Sequence, residues 1–136
     1  MLGNRVSCKI MRKLIFIIPL LFSTYVFADY NWKKIGSNTN GDVNYIDLLS
    51  IKRVGDNVFY FNLMDYIKPT KKGRLSSKVY FEVNCKDLSY RYIKDFYYNE
   101  PMGNGEPFII DKISEWKENT TGSLGEATRK FACNYK

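Results

Sequence analysis

Short apolar runs alternate with turn residues between residues 31 and 110, a pattern typical of antiparallel strands rather than helices. The predicted strands span residues 31–35, 43–47, 51–54, 57–67, 75–85, 88–98 and, as a short edge strand, 108–110. In strand 57–67 the odd positions Phe59, Phe61 and Leu63 are apolar, whereas Tyr60 and Asn62 on the other face are expected to meet water. In strand 75–85 the two-residue period puts Val83 and Cys85 on a buried face.

The end of the chain changes to a helical period. Ser123 followed by Glu126 has the spacing of a capping box, which predicts that a helix begins there. The residues that then share one side of this helix are Leu124, Ala127, Thr128, Phe131 and Tyr135. Cys133 would lie on the opposite side, so we expect the helix to fray or tighten near Ala132. The fold class predicted is a single α+β domain, an antiparallel sheet with a C-terminal helix packed on its buried face.

The N-terminal segment has the three parts of a secretory signal peptide. A basic pair follows Met11, an unbroken apolar run spans Leu14–Phe22, and small residues precede a cleavage site after Ala28. The run is too short to cross a bilayer, and the alternative is an N-terminal membrane anchor. We expect residues 1–28 to be an extension plus signal peptide, with Met11 as the start of translation. Residues 29–136 then form a domain exported to the periplasm or the outer-membrane surface.

Composition narrows the classes of function. The 136-residue chain has no histidine, which excludes Ser-His-Asp and Cys-His nucleophiles and histidine-ligated zinc. Its acidic residues are scattered, without the spacing of a calcium loop. Aromatic residues make up 16% of the chain, which favours strands and adhesive surfaces. We therefore expect a binding protein without catalytic residues, metal or cofactor.

Removal of residues 1–28 changes the net charge. The full chain carries +7, but four of its 21 cationic residues and none of its 14 acidic ones lie in that segment. The exported domain therefore has 17 cationic and 14 acidic residues, a net charge of +3. This modest charge on an exported protein makes nucleic acid a poor partner.

Two of the three cysteines, Cys85 and Cys133, remain in the exported domain. An exported protein folds in a compartment where disulfides form, and only one pairing within the domain is available. Two free buried thiols are the alternative.

A basic loop is the first candidate surface for binding a partner. Lys68, Lys71, Lys72 and Arg74 lie close together with no acidic residue among them. Such a loop could bind an acidic protein, a sulfated glycan or an anionic lipid head group. The alternative is an ordinary solvated hairpin loop.

An aromatic sheet face is the second candidate. Five tyrosines could share one face if the strand register allows it: Tyr60, Tyr66, Tyr80, Tyr90 and Tyr92. An exposed face of this kind would suit protein recognition or dimerisation, with Tyr80 and Tyr92 as candidate contacts. Ordinary cross-strand pairing or a second core layer is the alternative.

The order of landmarks along the chain resembles the surface-adhesin protein E family of small exported bacterial proteins. The landmarks are Trp32, the segment NYIDLLSIKRVGDNVFYFNLMDY, the strand SSKVYFEVNCK, the loop FYYNEPMGNGEPF, Trp116 and Cys133. The resemblance covers residues 30–134. It implies a six-stranded antiparallel sheet, a C-terminal helix tied to it by a Cys85–Cys133 disulfide, and no catalytic residues. Characterised relatives bind host extracellular-matrix and plasma proteins and can associate as dimers, although many members come from bacteria that colonise no animal host.

These observations lead to two functional hypotheses. The first is an exported, non-enzymatic, adhesin-like protein that contacts a protein partner through its sheet face and basic loops. Extracellular-matrix or plasma proteins are the partners that the resemblance implies, and a homodimer is possible. The second is a periplasmic inhibitor or envelope-assembly factor with a single bacterial protein target.

Overall fold

The structure is a computed structural model that describes residues 29–136. The predicted signal peptide lies outside the described residues. Seven strands and one α-helix form the fold: β1 Trp32–Ser37, β2 Val43–Asp47, β3 Lys52–Val54, β4 Asn57–Asp65, β5 Ser76–Asn84, β6 Tyr90–Tyr98, β7 Phe108–Ile110 and α1 Leu124–Asn134. Two short 3-10 helices, Leu48–Ser50 and Pro101–Gly103, lie in the connections β2–β3 and β6–β7.

All seven strands belong to one antiparallel sheet, as the alternating pattern predicts. The strand order is β1-β2-β4-β5-β6-β7, and β3 pairs with the first residues of β4, ahead of the stretch that pairs with β2. The β4–β5 hairpin at its centre pairs from Asn57 opposite Asn84 to Asp65 opposite Ser76. The sheet has one strand more than the six that the resemblance implies.

One face of the sheet is covered by α1 and holds the hydrophobic core. Its fully buried members are Ile46, Val58, Tyr60, Val83 and Ala132. The expectation that Tyr60 meets water is therefore wrong: its side chain is 1% exposed and its ring stacks on Phe81, with centroids 5.5 Å apart. Burial raises the pKa of the Tyr60 hydroxyl. Both faces of β4 bury side chains, so the alternation of apolar and polar residues could not show which face lies under the helix.

The helix begins where the capping spacing predicts. The N–H of Glu126 donates to the Ser123 hydroxyl oxygen at 3.0 Å, and the Glu126 carboxylate accepts from the N–H of Gly122 at 3.2 Å. The helix then continues through Cys133 to Asn134 without fraying near Ala132. It tightens at its end, where the N–H of Tyr135 donates to the carbonyl of Ala132, three residues earlier, at 3.4 Å.

The buried face of α1 differs from the predicted one. It consists of Thr128, Arg129 and Ala132, whereas Ala127 is exposed. Arg129 is only 4% exposed because its guanidinium lies 4.1 Å from the ring centroid of Tyr90. Because a charged residue lies on the buried face of α1, the spacing of the apolar residues indicated a neighbouring face of the helix instead.

This rotation of α1 explains how the two cysteines meet. Cys133 follows Arg129 by one helical turn and therefore lies on the buried side. The structure forms the Cys85–Cys133 disulfide, with 5.7 Å between the two Cα atoms. The pairing implied by the resemblance is confirmed, and it ties the helix to the end of β5.

The opposite face of the sheet carries a second buried layer around Lys78. The Lys78 side chain, 7% exposed, donates from Nζ to the Tyr30 hydroxyl at 2.6 Å. The rings of Tyr30, Phe61 and Phe96 surround this ammonium at centroid distances of 4.4, 5.3 and 4.9 Å. Aromatic faces stabilise a desolvated cation, which offsets part of the cost of burying it.

Candidate partner-binding site

The β4–β5 connection is a compact hairpin loop that presents cations to solvent. The N–H of Thr70 donates to the carbonyl of Arg74 at 2.9 Å, and the N–H of Gly73 donates to the carbonyl of Thr70 at 2.8 Å. Gly73 has φ +76°, in the left-handed region that favours glycine. Lys71 and Lys72 therefore stand exposed at the tip of a closed loop.

A groove of about 420 Å³ lies between this loop and strand β7. Its lining combines aromatic, aliphatic and cationic side chains: Tyr66, Thr70, Lys71, Lys72, Arg74, Tyr97, Phe108 and Ile110. We call this site the aromatic groove. Tyr66 is held by a 2.9 Å hydrogen bond between its hydroxyl and that of Ser77, and Tyr97 lies opposite Phe108 across the β6–β7 pair.

Arg74 links the basic loop to the aromatic side of the groove. Its guanidinium lies 5.0 Å from the ring centroid of Phe108 and 5.7 Å from that of Tyr97. Within the described residues, none of Lys71, Lys72 and Arg74 forms a salt bridge. The groove therefore offers cations for an anionic group beside an apolar surface.

Strand β7 forms an open edge of the sheet next to the groove. Over the described chain it pairs with β6 alone. The large apolar side chains on this segment are between 39% and 55% exposed: Phe108, Ile109, Ile110, Ile113 and Trp116. Proteins usually protect a sheet edge with charge, proline or a covering segment, so an exposed apolar edge points to an interaction surface.

The structure brings three of the four predicted loop cations into this groove. Lys71, Lys72 and Arg74 line it, whereas Lys68 lines a neighbouring cavity together with Asp42. Their grouping could be predicted from their proximity in the sequence. The aromatic wall that they meet could not, because β7 is distant along the chain.

The predicted tyrosine face is divided between the two sides of the sheet. Tyr92 lies opposite Phe81 on the helix-covered face, with ring centroids 5.1 Å apart. Tyr80 lies on the other face, where its ring is 4.7 Å from that of Phe61. Tyr80 and Tyr92 therefore cannot act together as one continuous surface.

Three residues that line the groove were not predicted as site residues from the sequence: Tyr97, Phe108 and Ile110. Phe108 and Ile110 belong to the run Phe-Ile-Ile, which was predicted correctly as a short edge strand. Two further apolar residues, Ile113 and Trp116, follow within six positions. An apolar run at a predicted sheet edge was the available signal for an exposed surface.

The described part of the chain shows no grouping of three or more acidic or cysteine residues that could hold a metal ion. Among residues 29–136, no helix is long and apolar enough to cross a membrane.

These features define the chain as a small α+β domain in which a disulfide ties the C-terminal helix to an antiparallel sheet. The family model for surface-adhesin protein E matches residues 32–134. The chain belongs to the surface-adhesin protein E family.

Solved structures of protein E from Haemophilus influenzae have a similar fold. Crystal form II is 22% identical and has a TM-score of 0.59, with coverage of 79% of this chain and 92% of that chain. Protein E from non-typeable Haemophilus influenzae is 21% identical, with a TM-score of 0.55 and coverage of 81% and 80%. At sequence identities this low, the structural similarity shows a shared fold and nothing further. No curated protein sequence matches the chain significantly.

Proposed function

We propose that this chain is an exported, non-enzymatic, adhesin-like protein that binds a protein partner through the aromatic groove and the adjoining β7 edge. Membership of the surface-adhesin protein E family supports an adhesive role. Extracellular-matrix and plasma proteins are the partners proposed.

One observation carries this proposal: cations without salt-bridge partners among residues 29–136 meet exposed apolar side chains at the same place. Lys71 and Lys72 are exposed on one side of the groove, and Phe108 is 55% exposed on the other. Protein interfaces combine an apolar, aromatic centre with a polar rim, and arginine is enriched in them. Arg74, whose guanidinium lies over the Phe108 ring, supplies that combination here.

Binding to immobilised extracellular-matrix and plasma proteins tests the proposal. The double variant Lys71→Glu/Lys72→Glu reverses the charge of the groove and is expected to weaken binding by at least about tenfold. The matched control Lys34→Glu/Lys52→Glu makes the same change of charge at exposed positions of β1 and β3. Failure of the protein to bind any of these partners, or equal losses in both variants, would contradict the proposal.

We further propose that the protein acts on the outer surface. Protease treatment of intact cells, followed by immunodetection of the chain, tests this location. Digestion without lysis is the expected result. Protection until lysis would instead support a periplasmic inhibitor or assembly factor with a single bacterial target.

A further inference from the structure

The free edge of β7 can recognise a backbone as well as side chains. In the described structure β7 uses one edge to pair with β6, which leaves its other edge open to a further strand. Alternation along β7 puts Phe108 and Ile110 on the groove side and Ile109 on the opposite side. A strand added to this edge would therefore place every second side chain beside the groove.

The groove also specifies the side chains that such a strand should carry. Its volume of about 420 Å³ suits one or two side chains, and Tyr97, Phe108 and Ile110 provide an apolar surface for an aromatic or aliphatic residue. Lys71, Lys72 and Arg74 stand beside this surface without salt-bridge partners among the described residues. Acidic side chains that flank the apolar one would meet these cations.

We propose that the aromatic groove and the β7 edge bind an extended acidic segment of a partner protein, which adds to the sheet as a further strand. This inference rests on the proposed function and states how the partner is recognised. Backbone hydrogen bonds hold the segment on the edge, and alternating acidic and apolar side chains give specificity.

An extended peptide fits these features better than the other anionic ligands. A sulfated glycan has charge for the lysines but no apolar side chain for Phe108 and Ile110. A lipid head group leaves the backbone groups of the β7 edge without partners. Only a polypeptide uses the charge, the apolar surface and the open edge together.

A synthetic peptide, Ser-Thr-Glu-Thr-Phe-Thr-Glu-Thr-Ser, tests the proposal because its two glutamates and its phenylalanine share one face of a strand. We expect fluorescently labelled peptide to bind the purified protein, and Lys71→Glu/Lys72→Glu to weaken binding by more than about tenfold. Lys34→Glu/Lys52→Glu is expected to change it by less than about twofold. Replacement of both glutamates by lysine should abolish binding.

Backbone N-methylation separates strand addition from simple charge attraction. Methyl groups on the odd-numbered amides block one edge of the extended peptide, and those on the even-numbered amides block the other. We expect one of these two peptides to lose binding and the other to retain it. Equal binding of both methylated peptides and the parent would overturn the strand-addition proposal.

The remaining outcomes distinguish this inference from the proposed function. Groove-dependent binding to a matrix protein without binding of the peptide would overturn the inference and leave the function standing. Binding of heparin or phosphatidylglycerol vesicles but of no peptide would likewise overturn it in favour of a glycan or lipid ligand. Absence of any protein partner would overturn both.

Discussion

Lys78 shows how a single side chain can organise one face of the sheet. Its ammonium lies among aromatic rings and donates to the Tyr30 hydroxyl, and the residue as a whole is buried. Because Tyr30 precedes β1, this contact also holds the segment before the first strand against the sheet. Lys78 is therefore a packing residue and an anchor rather than a surface charge.

We expect Lys78→Ala to lower the free energy of unfolding by about 2–3 kcal/mol, since it removes the buried stem and the cation–ring contacts together. Lys78→Met restores the stem and avoids burial of a charge, so its loss should be less than half as large. Urea unfolding of the three proteins measures both values. An equal loss in both variants would show that the charge, and not the packing, is what stabilises this face.

Asp95 is a buried carboxyl group in the same sheet. It is 8% exposed, and its Oδ1 has no hydrogen-bond partner in the described structure. Desolvation by burial raises the pKa of its carboxyl group above the usual value of about 3.9. The unfolded chain therefore ionises this group at lower pH than the folded protein does. The protonated carboxyl group therefore contributes to the free energy of unfolding below the pKa that it has in the unfolded chain. That contribution is lost as the pH rises through its higher pKa in the folded protein.

Asp95→Asn keeps the shape of the side chain but replaces the carboxyl group by a neutral amide, so no stability is lost through ionisation as the pH rises. We expect the variant to be more stable than the parent at pH 7 by about 1 kcal/mol, with a melting temperature a few degrees higher. The difference should shrink as the pH falls towards 4. Thermal unfolding of both proteins across this range checks the prediction, and a constant difference would assign the effect to packing.

At the scale of elements, the disulfide joins α1 to the sheet. It links Cys85 and Cys133, which are 48 residues apart in the chain. Closing a loop of this length contributes about 4 kcal/mol in the chain-entropy model. The helix also contacts the core through Ala132 and covers Tyr60, so its attachment protects the centre of the fold.

Cys85→Ser/Cys133→Ser is therefore expected to lower the melting temperature by about 15 °C or more. Replacing both residues avoids a free thiol, and calorimetry of the variant and the parent gives the comparison. Reduction of the parent protein with dithiothreitol should reproduce the loss. An unchanged melting curve would mean that packing alone holds the helix in place.

The cap at the start of α1 is a second feature that stabilises an element of the fold. The Ser123 hydroxyl accepts from the N–H of Glu126, and the Glu126 carboxylate accepts from Asn119 and Gly122. These hydrogen bonds lower the pKa of Glu126. We expect Ser123→Ala to cost about 1 kcal/mol and Ser123→Asp to cost only a few tenths, since aspartate also caps a helix. Urea unfolding measures both, and equal costs would contradict a capping role.

These elements differ in how far the sequence predicted them. The spacing of Ser123 and Glu126 located the helix start because capping is a contact between near neighbours in the chain. The buried face of α1 was predicted wrongly, since Arg129 is buried through a contact with Tyr90, thirty-nine positions earlier. The strands were located well, but their covered faces depend on what packs above them.

At the scale of the whole molecule, the apolar edge of β7 favours self-association, whereas the cations of the aromatic groove oppose it. An exposed strand edge favours pairing between two copies of the chain. Two copies paired through β7 would bring the Lys71 and Lys72 side chains of both molecules towards each other. Residues 29–136 also carry a net charge of +3, and this repulsion opposes a homodimer at low ionic strength.

We therefore expect self-association to increase with salt, because the Debye length falls from about 10 Å at 0.1 M to about 3 Å at 1 M. Binding of an acidic partner should weaken over the same range. Analytical ultracentrifugation of the protein at both salt concentrations measures the first effect. A dimer that is equally stable at both salt concentrations would exclude an interface at the aromatic groove.

Some properties of this protein were determined by its sequence alone. Residue identity or near neighbours alone determine the strand periods, the helix cap and the exclusion of histidine chemistry. Tertiary structure decided the properties that depend on residues far apart in the chain. Strand register divided Tyr80 from Tyr92, and the packing of the β4–β5 loop beside β7 brought Arg74 onto Phe108. The groove is such a property, because neither the loop nor the strand forms a binding site by itself.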